Sequence, residues 1–239
     1  MPKDSVGQKF MTKQGDEIEV VCYQDPKHIT IRFKEGHTLV VRMHDIKRGF
    51  IMNPLHPMTY GVGYLGVGKY KTKINKKFTP YYKLWNKVME RCYSFNFHKR
   101  NPTYKDCSVD ERWHNFQVFA EWFENNYIEG FELDKDLILK NNKIYSIETC
   151  CFLPKVLNQI FVSKPKSKKG LPRGVTEVKN RYSSYYRKHL GSFDTPEEAF
   201  EAYKIAKEKR IKDLADKWKP FIKEVAYEAM YIWKIEITD

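Results

Sequence analysis

Glu132, Asp134 and Asp136 fall at every second position of FELDKDLIL, residues 131–139. Read as a strand, this stretch alternates its side chains and sets all three acids on one face. Carboxylates so placed repel one another unless a cation compensates them. The pattern therefore points to a divalent ion such as Mg²⁺, or else to a solvated face flanked by lysines. Lys140-Asn141-Asn142-Lys143 reads as a turn and residues 144–153 as the returning strand. Pro154 then opens a short helix carrying Asn158. The expected unit is β-β-α.

A second chemistry is carried by charge. The chain of 239 residues holds 43 Lys and Arg against 30 Asp and Glu, for a net charge of +13. The excess is concentrated. Residues 65–105 hold eleven Lys/Arg, Lys73, Lys76 and Lys77 among them, with Glu90 as the one acid. Residues 164–188 hold nine, including Lys166, Lys168, Lys169, Arg173, Arg181, Arg187 and Lys188, against Glu177 alone. Tyr70, Tyr81 and Tyr82 lie in the first stretch, and Tyr182, Tyr185 and Tyr186 in the second. Lysine and arginine neutralise phosphates and release counterions, while tyrosines hydrogen-bond phosphate or pack on sugars and bases. The expected partner is a nucleic acid, which the resemblance described below narrows to double-stranded DNA. The alternative is a solvated, lysine-rich surface.

Other classes are disfavoured. Five cysteines (Cys22, Cys92, Cys107, Cys150, Cys151) show no C-x-x-C spacing, which argues for free buried thiols over a disulfide scaffold. A zinc site mixing Cys92, Cys107 and Cys150 with a histidine is the lesser alternative. No apolar run approaches the ~18 residues of a membrane span, and the polar start lacks a signal-peptide core. With 41 % hydrophobic and 15 % aromatic residues, the composition is that of a folded globular protein. A cytoplasmic protein without membrane contact is expected.

The elements that must position these residues suggest an α+β fold. Residues 17–23, 28–34 and 38–43 are β-branched runs parted by Asp25-Pro26 and Glu35-Gly36, so residues 1–62 are expected to form a small antiparallel, barrel-like β domain. Residues 61–77 read as a basic connector. Thr79-Pro80 opens a helix, with Thr79 at the N-cap and Tyr81, Leu84, Trp85, Val88 and Cys92 along one face. A second helix is expected over residues 110–127, with Trp113, Phe116, Phe119, Ala120 and Phe123 turned to the core. These helices and the ββα unit make up residues 63–161, and residues 162–171 form a basic linker. In residues 172–239, two strand-like runs precede the helix start Asp194-Thr195-Pro196-Glu197-Glu198. The helix is expected to run towards Trp218 and break at Lys219-Pro220, with a final amphipathic segment over residues 221–237.

Two resemblances follow from these residues. Residues 171–212, LPRGVTEV…YYRKHLGSFDTPEEAFEAYKIAKEKRI, resemble the Apetala-type DNA-binding domain of plant ethylene-response factors and phage homing endonucleases. The match lies in Arg-Gly-Val, Leu-Gly-Ser-Phe and the helix start Asp-Thr-Pro-Glu-Glu-Ala. The resemblance implies a three-stranded sheet that enters the major groove. It also implies base or phosphate contacts from Arg173 on the first strand and from Arg181 or Arg187 around the second. Residues 133–158 resemble the HNH (ββα-metal) fold in a degenerate form found beside such domains in phage proteins. Trp85, Arg91-Cys92-Tyr93, Tyr104, Trp113, Phe116 and Phe119 look like the same group. The resemblance implies metal binding by Asp134 and Asn158, with Asp136 as a further ligand. It sets Lys135 where the general-base histidine belongs and Thr149 where the central asparagine belongs.

That exchange has a chemical consequence. In HNH enzymes a neutral imidazole takes a proton from the attacking water while the metal stabilises the phosphate. A lysine, with an ordinary pKa near ~10.4, offers no acceptor at neutral pH. Loss of a general base costs on the order of 10²–10⁴ in rate. The expectation is a phage or mobile-element DNA-binding protein on a weakened or inactive nuclease scaffold. One alternative is an active metal-dependent homing-type nuclease using Asp134, Asp136, Asn158 and Glu148. Another is a phage protein that docks on a host defence complex through its β-rich N-terminal region.

Overall fold

The computed structural model describes residues 5–161 and 170–238 and shows an α+β fold. The chain divides into two compact units, Met1–Lys105 with Val109–Trp122, and Asp106–Ser108 with Phe123–Asp239.

The first unit opens with β1 (Lys9–Met11), β2 (Glu17–Asp25), β3 (His28–Phe33) and β4 (Thr38–Val41), antiparallel in that order. Strict alternation makes this sheet. Ile18 and Val20 on β2 pair with Phe33 and Ile31 on β3, and all four side chains turn to one buried face with Ile29. The Asp25 carboxylate accepts from the amides of Lys27 and His28 and closes the β2–β3 hairpin. Helix α1 (Met43–Arg48) covers the apolar face with Ile46 and ends at Gly49, whose φ of +67° suits its left-handed cap. Beyond it, β5 (Lys73–Ile74) and β6 (Lys77–Phe78) form a short hairpin, followed by α2 (Pro80–Tyr93) and α3 (Phe95–Arg100).

Of the expected face of α2, Trp85, Val88 and Cys92 are buried, Tyr81 and Leu84 are half-buried, and Met89 joins the buried stripe. Thr79 holds the N-cap position, but its hydroxyl donates to the carbonyls of Lys71 and Thr72 rather than capping the helix. The next helix starts later than expected. Residues Glu111–His114 form one 3₁₀ turn, Asn115 is extended, and α4 runs Phe116–Asn126. The cause is local: the backbone of Tyr64 bridges to this point, its amide donating to His114 and its carbonyl accepting from Phe116, while Asn115 Oδ1 accepts from the Gln117 amide. Between α3 and that turn lies β7 (Ser108–Val109).

The second unit holds the ββα segment. β8 (Phe131–Asp134) pairs antiparallel with β10 (Cys151–Pro154), and α5 (Lys155–Phe161) follows. β8 is shorter than the expected strand over 131–139. The returning segment splits into β9 (Ile144–Tyr145) and β10, and Pro154 closes β10 rather than opening the helix. The C-terminal part is a sheet of β11 (Val175–Val178), β12 (Arg181–Tyr186) and β13 (Lys188–Phe193), with α6 (Pro196–Trp218) and α7 (Glu224–Ile232). A full capping box starts α6: Thr195 accepts from the Glu198 amide, and Glu198 reaches back to the Thr195 amide. Leu137, Leu153 and Leu157 from the ββα segment share one core with Val175, Phe200, Ile211, Leu214 and Met230.

Candidate functional site

The acidic stretch does not form a three-carboxylate face. Asp134 is the last residue of β8, and its Oδ1 accepts from the amides of Asp136 at 2.9 Å and Leu137 at 2.7 Å. This side-chain turn ends the strand and takes Asp136 off it. Burial pushes the Asp134 carboxyl above the usual carboxylate range, and the Asp136 charge adds to this. The two amides and Lys135 pull the other way. Glu132 remains on β8, where its Oε2 accepts from Asn158 Nδ2 at 2.8 Å and ties α5 to the strand. Glu148 is exposed.

Lys135 follows the end of β8 and is only 8 % exposed. Its Nζ donates to Asp136 Oδ1 at 2.6 Å and to the Asn142 carbonyl at 2.7 Å, and lies 5.8 Å from the centre of the Tyr145 ring. Asn142 completes the clasp. Its Nδ2 donates to the carbonyls of Lys135 and Ile144, and its Oδ1 accepts from the Ile144 amide. Asn142 was not singled out by the sequence reading, which took it for a turn residue. Thr149 is also a turn group, donating to the Ile144 carbonyl at 2.9 Å and held by Ser146.

Each of the three expected ligands already has a partner within the protein. Asp134 is engaged by backbone amides, Asp136 by an ammonium, and Asn158 by Glu132. Among the described residues, no group of three His, Cys, Asp or Glu is placed to hold a metal. The cation beside Asp136 is the side chain of Lys135. An ammonium donating to a carboxylate and a carbonyl presents no lone pair to an attacking water. What the arrangement does chemically is hold the 135–144 loop.

The basic residues of the second unit lie elsewhere. In β11–β13 the register pairs Val175 with Ser184 and Tyr182 with Phe193; these, with Tyr186, turn towards the buried side, where Val175, Tyr182, Tyr186 and Phe193 pack on the core. The alternate positions, Thr176, Val178, Arg181, Ser183, Tyr185 and Ser192, make up the other face. Lys179 and Asn180, with φ of 48° and 62°, form the β11–β12 turn, and Arg187, at 61°, the β12–β13 turn. Arg181 is exposed; it donates to the Ser192 carbonyl at 3.1 Å and pairs with Asp194 at 3.0 Å. Arg187 and Lys188 are exposed at the sheet's edge, as is His189. Tyr185 was expected from the basic stretch, whereas Thr176, Ser183 and His189 were not singled out; period-two alternation marks Thr176 and Ser183, and a bulge after Ser184 brings His189 opposite Tyr185.

Arg173 is not on the first strand. It precedes β11, is half-buried, and lines a small cleft with Leu171, Pro172, Pro196, Glu197 and Ile237. Gly174 sets this course, with φ of +72° and the Tyr203 ring 2.1 Å from where a Cβ would stand. Lys166, Lys168 and Lys169 lie outside the described residues. Lys73, Lys76 and Lys77 are in the first unit, all exposed on the β5–β6 hairpin.

All five cysteines are free. Burial raises the Cys150 thiol to about 12 and pushes the Cys151 thiol up as well, so both stay protonated and unreactive. No helix among the described residues is long and apolar enough to cross a membrane. No protein family, curated protein or solved structure matches this chain.

Proposed function

We propose that this protein binds duplex DNA through the outer face of β11–β13, on an HNH-like ββα scaffold that has lost cleavage. The supporting observation is the make-up of that sheet. Residues 173–193 carry five Lys/Arg against one Glu, and Arg181, Arg187, Lys188 and Lys179 are all exposed along it or at its turns. Hydroxyls of Thr176, Ser183, Tyr185 and Ser192 lie between them, with the exposed Val178 opposite Arg181. Cations at the rim with short hydrogen-bonding side chains in the centre suit phosphate contacts around a base-reading surface. The resemblance of residues 171–212 to the Apetala-type domain supports the same reading. The clasp of Lys135 supports the loss of cleavage, because the position that the resemblance gives to the general-base histidine holds an ammonium tied to Asp136 and to the Asn142 carbonyl. Such a protein belongs to phages or mobile elements and acts in the cytoplasm of the host cell.

The test is binding of a labelled duplex by the full chain, compared with a variant carrying Arg181→Ala, Arg187→Ala and Lys188→Ala. Each good charge-assisted contact is worth about 1–3 kcal/mol, so affinity is expected to fall at least tenfold. Plasmid DNA incubated with Mg²⁺ or Mn²⁺ is expected to stay uncut. Equal affinity of variant and parent refutes the sheet assignment, and metal-dependent nicking that Asp134→Ala abolishes refutes the loss of cleavage.

A further inference from the structure

The β5–β6 hairpin of the first unit has a shape that its own fold does not require. Lys73 pairs with Phe78 and Ile74 with Lys77, and the two residues between, Asn75 and Lys76, have φ of 49° and 64°. Two left-handed central residues make a type I′ turn, whose twist suits a tight two-stranded ribbon. All six residues are exposed, with Ile74 at 53 % and Phe78 at 45 %.

An isolated two-stranded ribbon is marginal in water, and here its neck is anchored. Thr79 is 4 % exposed, its amide donates to the Thr72 carbonyl at 3.0 Å, and its hydroxyl reaches the Lys71 carbonyl at 3.1 Å. Gln117 holds the approach, accepting from the Tyr70 amide at 2.9 Å and donating to the Tyr70 carbonyl at 3.0 Å and the Leu65 carbonyl at 3.2 Å. The Phe78 ring stacks on Tyr82, centroids 5.1 Å apart, and Tyr82 meets Phe116 edge-on. The ribbon is fixed at its base and open at its tip.

Its charge is uncompensated. Lys71, Lys73, Lys76 and Lys77 fall within seven residues, and no acid occurs from Leu65 to Met89. Among the described residues, none of these four ammonium groups pairs with a carboxylate; Lys73 Nζ sits 4.3 Å above the Phe78 ring. Such crowding is relieved by a polyanion. The exposed Ile74 and Phe78 add apolar surface of the kind that packs against deoxyribose. A ribbon of this width also fits the major groove. Two apolar side chains are too few for the buried face that holds an interfacial segment on a lipid surface.

We infer that the β5–β6 hairpin is a second DNA contact, gripping duplex phosphates through Lys71, Lys73, Lys76 and Lys77 with Ile74 against the sugars, independently of β11–β13. Duplex DNA as the ligand is taken from the function proposed above. The test uses the full chain with Lys73, Lys76 and Lys77 all changed to glutamine, titrated with labelled duplexes of unrelated sequence at several salt concentrations. Affinity falls at least tenfold for every sequence alike, and the slope of log K against log salt shrinks by about 2–3, at ~0.9 per phosphate contact. The same positions changed to arginine restore both. A control with Lys27, Lys34 and Lys47 changed to glutamine, all exposed on the first unit, loses much less. Unchanged affinity in the hairpin variant, an equal loss in the control, or no rescue by arginine overturns the inference. So does loss of binding to phosphatidylserine vesicles with duplex binding intact, which assigns the hairpin to a lipid surface. If the hairpin variant binds as the parent does while the sheet variant weakens, this inference alone fails. If the parent binds no duplex, both readings fail together.

Discussion

At the scale of single residues, Lys135 decides how the ββα segment is read. It sits just past the end of β8, where the Asp134 turn carries the chain inward, and both it and Leu137 are buried. A lysine buried there needs partners, and Asp136 and the Asn142 carbonyl supply them. Changing Lys135 to methionine keeps most of the packing but leaves the Asn142 carbonyl without its ammonium donor. The expected loss is about 1–3 kcal/mol in urea unfolding; an unchanged midpoint contradicts the clasp. Asp134 makes a second, opposite prediction. Burial raises its carboxyl above the ordinary value, so the folded state holds the proton more tightly than the unfolded state. The cost of burying the charge is then present in full near neutral pH and fades as the pH falls through the folded-state value. Asp134→Asn keeps an oxygen for the two amides and removes the charge. This variant is expected to be at least as stable as the parent near neutral pH, with the difference shrinking towards about pH 4. A gap that widens on acidification contradicts this.

Elements were legible where local pattern and tertiary need agree. The alternation in EIEVV and HITIRF gives β2 and β3 because one face is buried throughout. Thr195 with Glu198 announces α6 because the capping box is local chemistry. The strand expected over residues 131–139 failed because the Asp134 side chain turns the backbone, an event that hydrophobic alternation does not encode. The helix expected from residue 110 failed because its first turn is taken up by a bridge to Tyr64, distant in sequence. Arg173 was misplaced for a similar reason: Gly174 bends the chain against Tyr203 before the strand begins. Gly174→Ala tests that contact. An alanine there meets both the cost of a positive φ, about 1–2 kcal/mol, and overpacking against the ring, typically 1–3 kcal/mol. Thermal unfolding is expected to show a loss of roughly 2–5 kcal/mol, whereas a neutral substitution means the sheet does not seat on α6 as described.

For the whole molecule, the charge distribution is the feature most plainly readable in the sequence and the one the fold leaves open to solvent. Among the described residues the two basic stretches fall in separate compact units, with Lys73, Lys76 and Lys77 on the β5–β6 hairpin and Arg181, Arg187 and Lys188 on β12 and β13 or their turn. The acids lie mostly on other elements, such as β2 and α6. The candidate metal cluster was less legible, because three acids in alternation do not reveal that one is capped by amides and another by a lysine. The proposed role is therefore electrostatic before it is catalytic, and salt is its natural probe. The decisive measurement is the affinity of the full chain for a labelled duplex across a series of salt concentrations. A protein touching about six to ten phosphates loses roughly 10³–10⁵ in affinity between about 50 and 200 mM salt, with log K falling linearly in log salt. That steep line is the expected result. A flat line, or no duplex binding even at the lowest salt, contradicts the account.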